Sequence, residues 1–130
     1  MKNIIYKLFG VIFNGDVAMY DRVIWLKKNL IVINENSNLL DIGCGNGWAL
    51  FIAQKLGFKK IVGLSWDQKD IEKINDRSKK GNELDLIIGD ARKLNQIDFN
   101  CKFDSVINCE NIEHIIDDEK LIKDISNILN

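Results

Sequence analysis

The residues of this chain best suited to chemistry lie in two short runs. The first is Asp41-Ile42-Gly43-Cys44-Gly45-Asn46-Gly47, an acid followed by glycine at every second position. Glycine permits positive φ and lets a ligand come close to the main chain. The second is Asn108-Cys109-Glu110-Asn111-Ile112-Glu113-His114, which places two carboxylates and the one histidine of the chain at i, i+3 and i+4. On a helix these three side chains would share a face. An imidazole beside two carboxylates allows three roles: a base for a hydroxyl, half of a divalent-metal site, or a structural helix start.

Both runs need strands and helices to aim them. Residues 39–42 read as a buried strand, and residues 48–56 as a helix stopped by Gly57. A buried strand feeding a glycine loop that opens a helix is a nucleotide-binding geometry, because the helix N-terminus offers free N–H groups to a polar ligand. Downstream, residues 60–64, 84–88 and 103–108 read as strands. A helix capped by Asp67 is predicted to run through Lys80 and stop at Gly81. Asp117 or Asp118 opens a last helix, with Leu121, Ile122, Ile125, Ile128 and Leu129 on one face. Upstream, residues 16–30 read as an amphipathic helix with Met19, Val23, Leu26 and Leu30 in register. Strands alternating with helices predict an α/β fold, an open parallel sheet with helices on both faces. No linker or repeat divides it, so one domain is expected over 1–130, with a helical cap over 1–36 and the core over 37–130.

The loop spacing is informative. A dinucleotide loop reads G-x-G-x-x-G, whereas this one reads D-x-G-x-G-x-G. From about Leu39 to the C-terminus the chain resembles the class I S-adenosylmethionine (SAM) methyltransferases. The resemblance implies a Rossmann-like sheet of order 3-2-1-4 with the cofactor SAM at the carboxyl ends of its strands. It implies that Asp41, Gly43, Cys44, Gly45, Asn46 and Gly47 cradle the amino-acid part of SAM. After the second strand, Ser65 stands where family members carry an acid for the ribose diol, which leaves ribose recognition weaker or shared with Asp67. Asp67 also reads as a plain helix cap. Trp66 either lies against the adenine or packs in the core. Asp90 and Ala91 resemble a G-D-A motif whose acid accepts from the adenine amino group. Asn108 ends the fourth strand beside the cofactor. Glu110, Glu113 and His114 resemble the E-x-x-E-H signature of small-molecule methyltransferases, which would lie beside the methyl donor. No second histidine completes a metal set, and no metal is expected.

Class I members have seven strands, and this chain supplies four and the helix after the fourth. The last three family strands are absent, which would leave residues 103–108 as an open apolar edge through which copies could self-associate. A net charge of -1, with lysine and arginine scattered, gives no case for nucleic acid or an acidic membrane. Residues 1–13 are interrupted by Lys7 and too short to span a bilayer; they read as a short helix over the cleft or as a peripheral membrane-touching helix, and the sparse lysine and arginine favour the first. Cys44, Cys101 and Cys109 have no CxxC spacing and are odd in number, against a disulfide framework or zinc site. A reducing cytoplasm is the expected setting. The expected function is methyl transfer from SAM to a small-molecule acceptor. The alternative is a SAM- or nucleotide-binding module without turnover, needing a partner or a C-terminal half. A nicotinamide-dependent oxidoreductase is disfavoured by the glycine spacing and by Ser65.

Overall fold

The computed structural model describes residues 17–30, 32, 34–78, 84–109 and 111–130. The chain divides into two compact units, Met1–Leu30 and Ile31–Asn130. In the first, helix α1 (Val17–Asn29) follows the expected periodicity. Val23 and Leu26 are buried, and Met19 and Leu30 are half-buried. The Asn29 amide donates to the Trp25 carbonyl (2.7 Å), and the Leu30 N–H to the Leu26 carbonyl (2.8 Å), closing the last turn. The helix expected over residues 1–13 lies outside the described residues.

The second unit carries β1 (Asn38–Ile42), α2 (Trp48–Leu56), β2 (Lys60–Ser65), α3 (Gln68–Arg77), β3 (Asp85–Ile88), β4 (Ser105–Ile107) and α4 (Asp118–Ile128). Short 3-10 turns sit at Ala91–Gln96 and Ile112–His114. The four strands form one sheet in the order β3-β2-β1-β4, all parallel. Leu40 pairs with Val62 on one side and Val106 on the other, and Asp41 with Gly63 and Ile107. β1 and β2 are central, so their apolar runs are buried on both faces, as parallel sheets require. Leu40, Ile42, Val62, Leu64, Leu94, Phe99, Phe103 and Leu121 form one core cluster. Within it Phe99 and Phe103 meet edge to face at 5.3 Å. Gly57 ends α2 in the left-handed conformation (φ 91°), its N–H donating to the Ala53 and Gln54 carbonyls.

Three expectations need correction. Helix α3 ends at Arg77 rather than Lys80: Ser78 turns extended (φ −70°, ψ 119°) while its N–H still closes the helix on Ile74 and Asn75. Serine favours such ends because its hydroxyl competes for backbone hydrogen bonds in non-helical conformations. The expected stop at Gly81 lies outside the described residues. On α4, Ile122 is exposed rather than on the apolar face. The inward face is instead Leu121, Asp124, Ile125 and Ile128, spaced by one and two helical turns. There the Lys120 ammonium pairs with Asp124 and donates to the Arg92 carbonyl (3.2 Å), tying α4 to the turn after β3. Lastly, β4 is shorter than residues 103–108, and its edge is not fully open. The Phe103 N–H donates to the Ile128 carbonyl (2.9 Å), and the Asn130 N–H to the Phe103 carbonyl (3.0 Å). The C-terminal residues thus lie parallel to the start of that edge, Phe103 bridging Leu129.

Candidate functional site

The sheet delivers four strand ends to one rim. A cleft of about 490 Å3 opens there. It is bounded by Gly43 from the glycine loop, Leu64 and Trp66 after β2, residues 89–92 after β3, and Asn111, His114 and Ile115 after β4.

The glycine loop leaves β1 at Gly43. Gly43, Gly45 and Gly47 all take positive φ (74°, 49° and 78°), which L side chains rarely adopt. Their reasons differ. A Cβ on Gly43 would strike Asn111 at 2.9 Å, and one on Gly47 would strike Ile74 of α3 at 2.7 Å. A Cβ on Gly45 would meet nothing nearer than the Gly43 carbonyl at 4.0 Å, so the space over Gly45 is open. The Gly43 and Cys44 N–H groups both donate to the Leu64 carbonyl (2.8 and 3.0 Å), and the Gly47 N–H donates to Cys44 (2.8 Å). Among the described residues, the Gly45 and Asn46 N–H groups bond to no protein acceptor. Two free amides beside open space are what a polar ligand needs from such a loop.

Asp41 ends β1 under this loop and is buried. Burial pushes its carboxyl up from 3.8 to about 7. Cys44 is also buried, and burial with the negative charge of Asp41 and Asp70 raises its thiol to about 12. It packs 3.1 Å from where a Cβ on Gly63 would be, a filler rather than a nucleophile.

After β2, Ser65 is buried, and its hydroxyl donates to Asp70 (2.9 Å) while accepting from the Asp67 N–H (3.1 Å). The hydroxyl expected at the ribose is thus engaged within the protein. Asp67 caps α3, accepting from the Lys69 N–H at 2.9 Å. Trp66 is 79% exposed and lines the cleft, so it is not a core residue. After β3, Asp90 caps the Ala91–Gln96 turn by accepting from the Arg92 N–H, and the Arg92 guanidinium grips the same carboxylate through Nε and Nη2. That grip lowers the Asp90 carboxyl to about 2 and raises the Arg92 guanidinium. Asp90 and Ala91 both reach the cleft. Arg92 was not among the expected site residues, although an arginine two places past a capping acid is a signal for such a pair.

After β4, Asn111 donates through Nδ2 to Asn108 Oδ1 at 2.9 Å. Asn108 Nδ2 is buried and has no hydrogen-bond partner among the described residues, an orphan donor beside the site. The E-x-x-E-H run is not a continuous helix over its described part. Ile112–His114 is a single 3-10 turn, in which successive residues point about 120° apart. Glu113 and His114 are both exposed, and of the two only His114 borders the cleft. Glu110 lies outside the described residues. Among those described, no cluster of three His, Cys, Asp or Glu could hold a metal. Asn111 and Ile115 were not among the expected site residues, yet both border the cleft.

The comparisons with known proteins bear on the fold and the family. The methyltransferase domain family matches residues 40–130. The ubiquinone biosynthesis O-methyltransferase of Pelagibacter ubique is 33% identical over 96 residues, covering 73% of this chain and 38% of that protein. The ribosomal protein L11 methyltransferase of Thermotoga maritima is 29% identical over 107 residues, covering 82% of this chain and 37% of the relative. The plantazolicin methyltransferase BpumL, solved with a triazolic desmethylPZN analog and SAH, superposes with a TM-score of 0.70 at 17% identity. That likeness covers 99% of this chain and 49% of BpumL. The chain belongs to the methyltransferase domain family, a SAM-dependent family with a Rossmann-like sheet. It spans less than two fifths of the length of these two curated relatives.

Proposed function

We propose that this chain is the SAM-binding portion of a methyltransferase that modifies a small molecule. The observation that carries the reading is the glycine loop, with its two free amides and the open space over Gly45, which begins at Gly43 on the cleft that Trp66 and Asp90 also line. The residues fit the cofactor. Gly43, Cys44, Gly45, Asn46 and Gly47, with Asp41 beneath them, would hold its amino-acid part, and the Asn108 amide is a spare donor for a polar atom. Trp66 offers an aromatic face for the base. Asp90 retains a lone pair for an exocyclic amine, its charge fixed by Arg92. Asp67 is the nearest carboxylate in sequence to Ser65 for a share of the ribose diol.

When bound, SAM supplies an electrophilic methyl group on a sulfonium. The protein's task is then to position the acceptor in line and to exclude water. His114 borders the cleft and is the residue we assign to accept a proton from an acceptor hydroxyl, with Glu113 and Glu110 flanking it in the chain. The small-molecule reading draws support from the ubiquinone relative, and the L11 relative marks a protein acceptor as the rival. A second reading is a SAM-binding module without turnover of its own, needing a partner or a C-terminal half. We further assign residues 37–130 as the cofactor-binding core. Where copies associate, the outer edge of Ser105–Ile107 is the surface we assign, and the setting is a reducing cytoplasm suited to three cysteines that form no disulfide.

Calorimetric titration with SAM, S-adenosylhomocysteine (SAH) and NAD tests the cofactor. Binding of SAM and SAH without NAD is expected, and the reverse preference overturns the reading. Incubation with methyl-labelled SAM and either a metabolite extract or ribosomal protein then separates the acceptors. Label in the metabolite fraction is expected, label in protein alone favours the rival, and tight binding with no transfer favours the module.

A further inference from the structure

We infer that Arg77, at the far end of α3, is a positioning residue that sets the orientation of the glycine loop and hence the affinity for the amino-acid part of the ligand. The inference rests on the cofactor reading above. Arg77 Nη1 donates to the Asn46 carbonyl at 2.9 Å, across thirty-one positions of sequence. Its guanidinium also stacks over the Phe51 ring of α2, 5.0 Å from the centroid. One turn earlier on the same helix, Ile74 packs so closely on Gly47 that no side chain fits there.

These contacts act on one peptide plane. The Asn46 carbonyl and the Gly47 N–H belong to a single rigid unit. Arg77 holds that unit by its oxygen, and the Cys44 carbonyl holds it by its N–H at 2.8 Å. The Asn46 side chain is also engaged, accepting from the Trp48 N–H at 3.3 Å. With that plane held at both ends, the preceding amides of Asn46 and Gly45 keep one direction. They are the two donors that bond to no protein acceptor among the described residues. Arginine suits the task because its planar fork can donate and stack at once, which a lysine ammonium cannot do.

The test is calorimetry on the full chain with two ligands, SAH and adenosine, the second lacking the amino-acid part. Arg77→Met keeps the stem and removes the donors. It is expected to weaken SAH about tenfold, the worth of one such hydrogen bond, and to leave adenosine unchanged. Arg77→Lys should fall between. The side chain is exposed, so the urea midpoint should move little. Equal SAH affinity in wild type and Arg77→Met overturns the inference, and so does an equal loss for both ligands, which would mark a general structural role. Failure of the wild-type chain to bind SAH removes the cofactor reading itself, and is separately visible.

Discussion

Replacing Asp41 by asparagine should stabilise the unliganded chain at high pH and not at low pH. The carboxyl is buried at the end of β1, and burial raises it from 3.8 to about 7. The folded state therefore holds the proton more tightly than the unfolded chain. Wild-type stability then falls as pH rises from about 4 to about 7, and above that the ionised acid carries its full penalty. At about 1.4 kcal/mol per pH unit, the gap corresponds to about 4 kcal/mol. Asparagine cannot ionise. Its buried amide has a cost of its own, about 1–3 kcal/mol, but that cost is the same at every pH. The pH dependence of the difference thus isolates the ionisation. Urea unfolding of both chains at pH 4 and pH 8 measures it. The advantage of Asp41→Asn should grow by up to about 4 kcal/mol between the two. Growth below about 1 kcal/mol would refute the claim that this acid is destabilised by burial. A residue that costs the empty fold this much is the kind found at functional sites, so the same variant should bind SAH more weakly than wild type.

The glycines of the loop should separate fold from binding. Gly45→Val meets open space, so its only cost to stability is the strain of a β-branched residue at positive φ, and SAH binding in calorimetry should be lost, whereas Gly47→Ala adds a clash with Ile74 to such strain and should lower the thermal midpoint further. Trp66→Ala removes a 79% exposed ring from the cleft wall, so it should leave the unfolding free energy within about 0.5 kcal/mol of wild type while weakening adenosine and SAH alike. Phe103→Ala deletes a fully buried ring that meets Phe99 edge to face, and chemical denaturation should show a loss of about 3–5 kcal/mol.

Much of this was legible in the sequence because local and tertiary demands coincide. The run from Leu39 to Gly57 reads as strand, glycine loop, helix and stop because each residue there satisfies both backbone and burial. The strand order came with the family resemblance, and the pairing bears it out. What sequence did not give depends on contacts between distant positions. Ser65 stood at the position of a ribose ligand, yet its hydroxyl donates its hydrogen bond to Asp70. The partner of Asp90 stands only two residues away, but its bidentate grip is a matter of rotamer rather than of spacing. The E-x-x-E-H run suggested one helical face, and the chain makes a 3-10 turn there, which spreads Glu113 and His114 apart. The capping of Phe103 by Ile128 and Asn130 was invisible, because two-residue pairings leave no periodicity to read.

One carbonyl deserves a last look for what it joins. Leu64 O receives both the Gly43 and the Cys44 amides, and two residues further on the same strand becomes Trp66. On the proposed reading, the loop for the amino-acid end and the indole for the base are therefore parts of a single jointed piece. A nucleoside fragment that settles against the indole should stiffen the neighbouring turn in advance. The two halves of the ligand would then favour each other's capture, and their separate affinities, multiplied, would fall short of the whole.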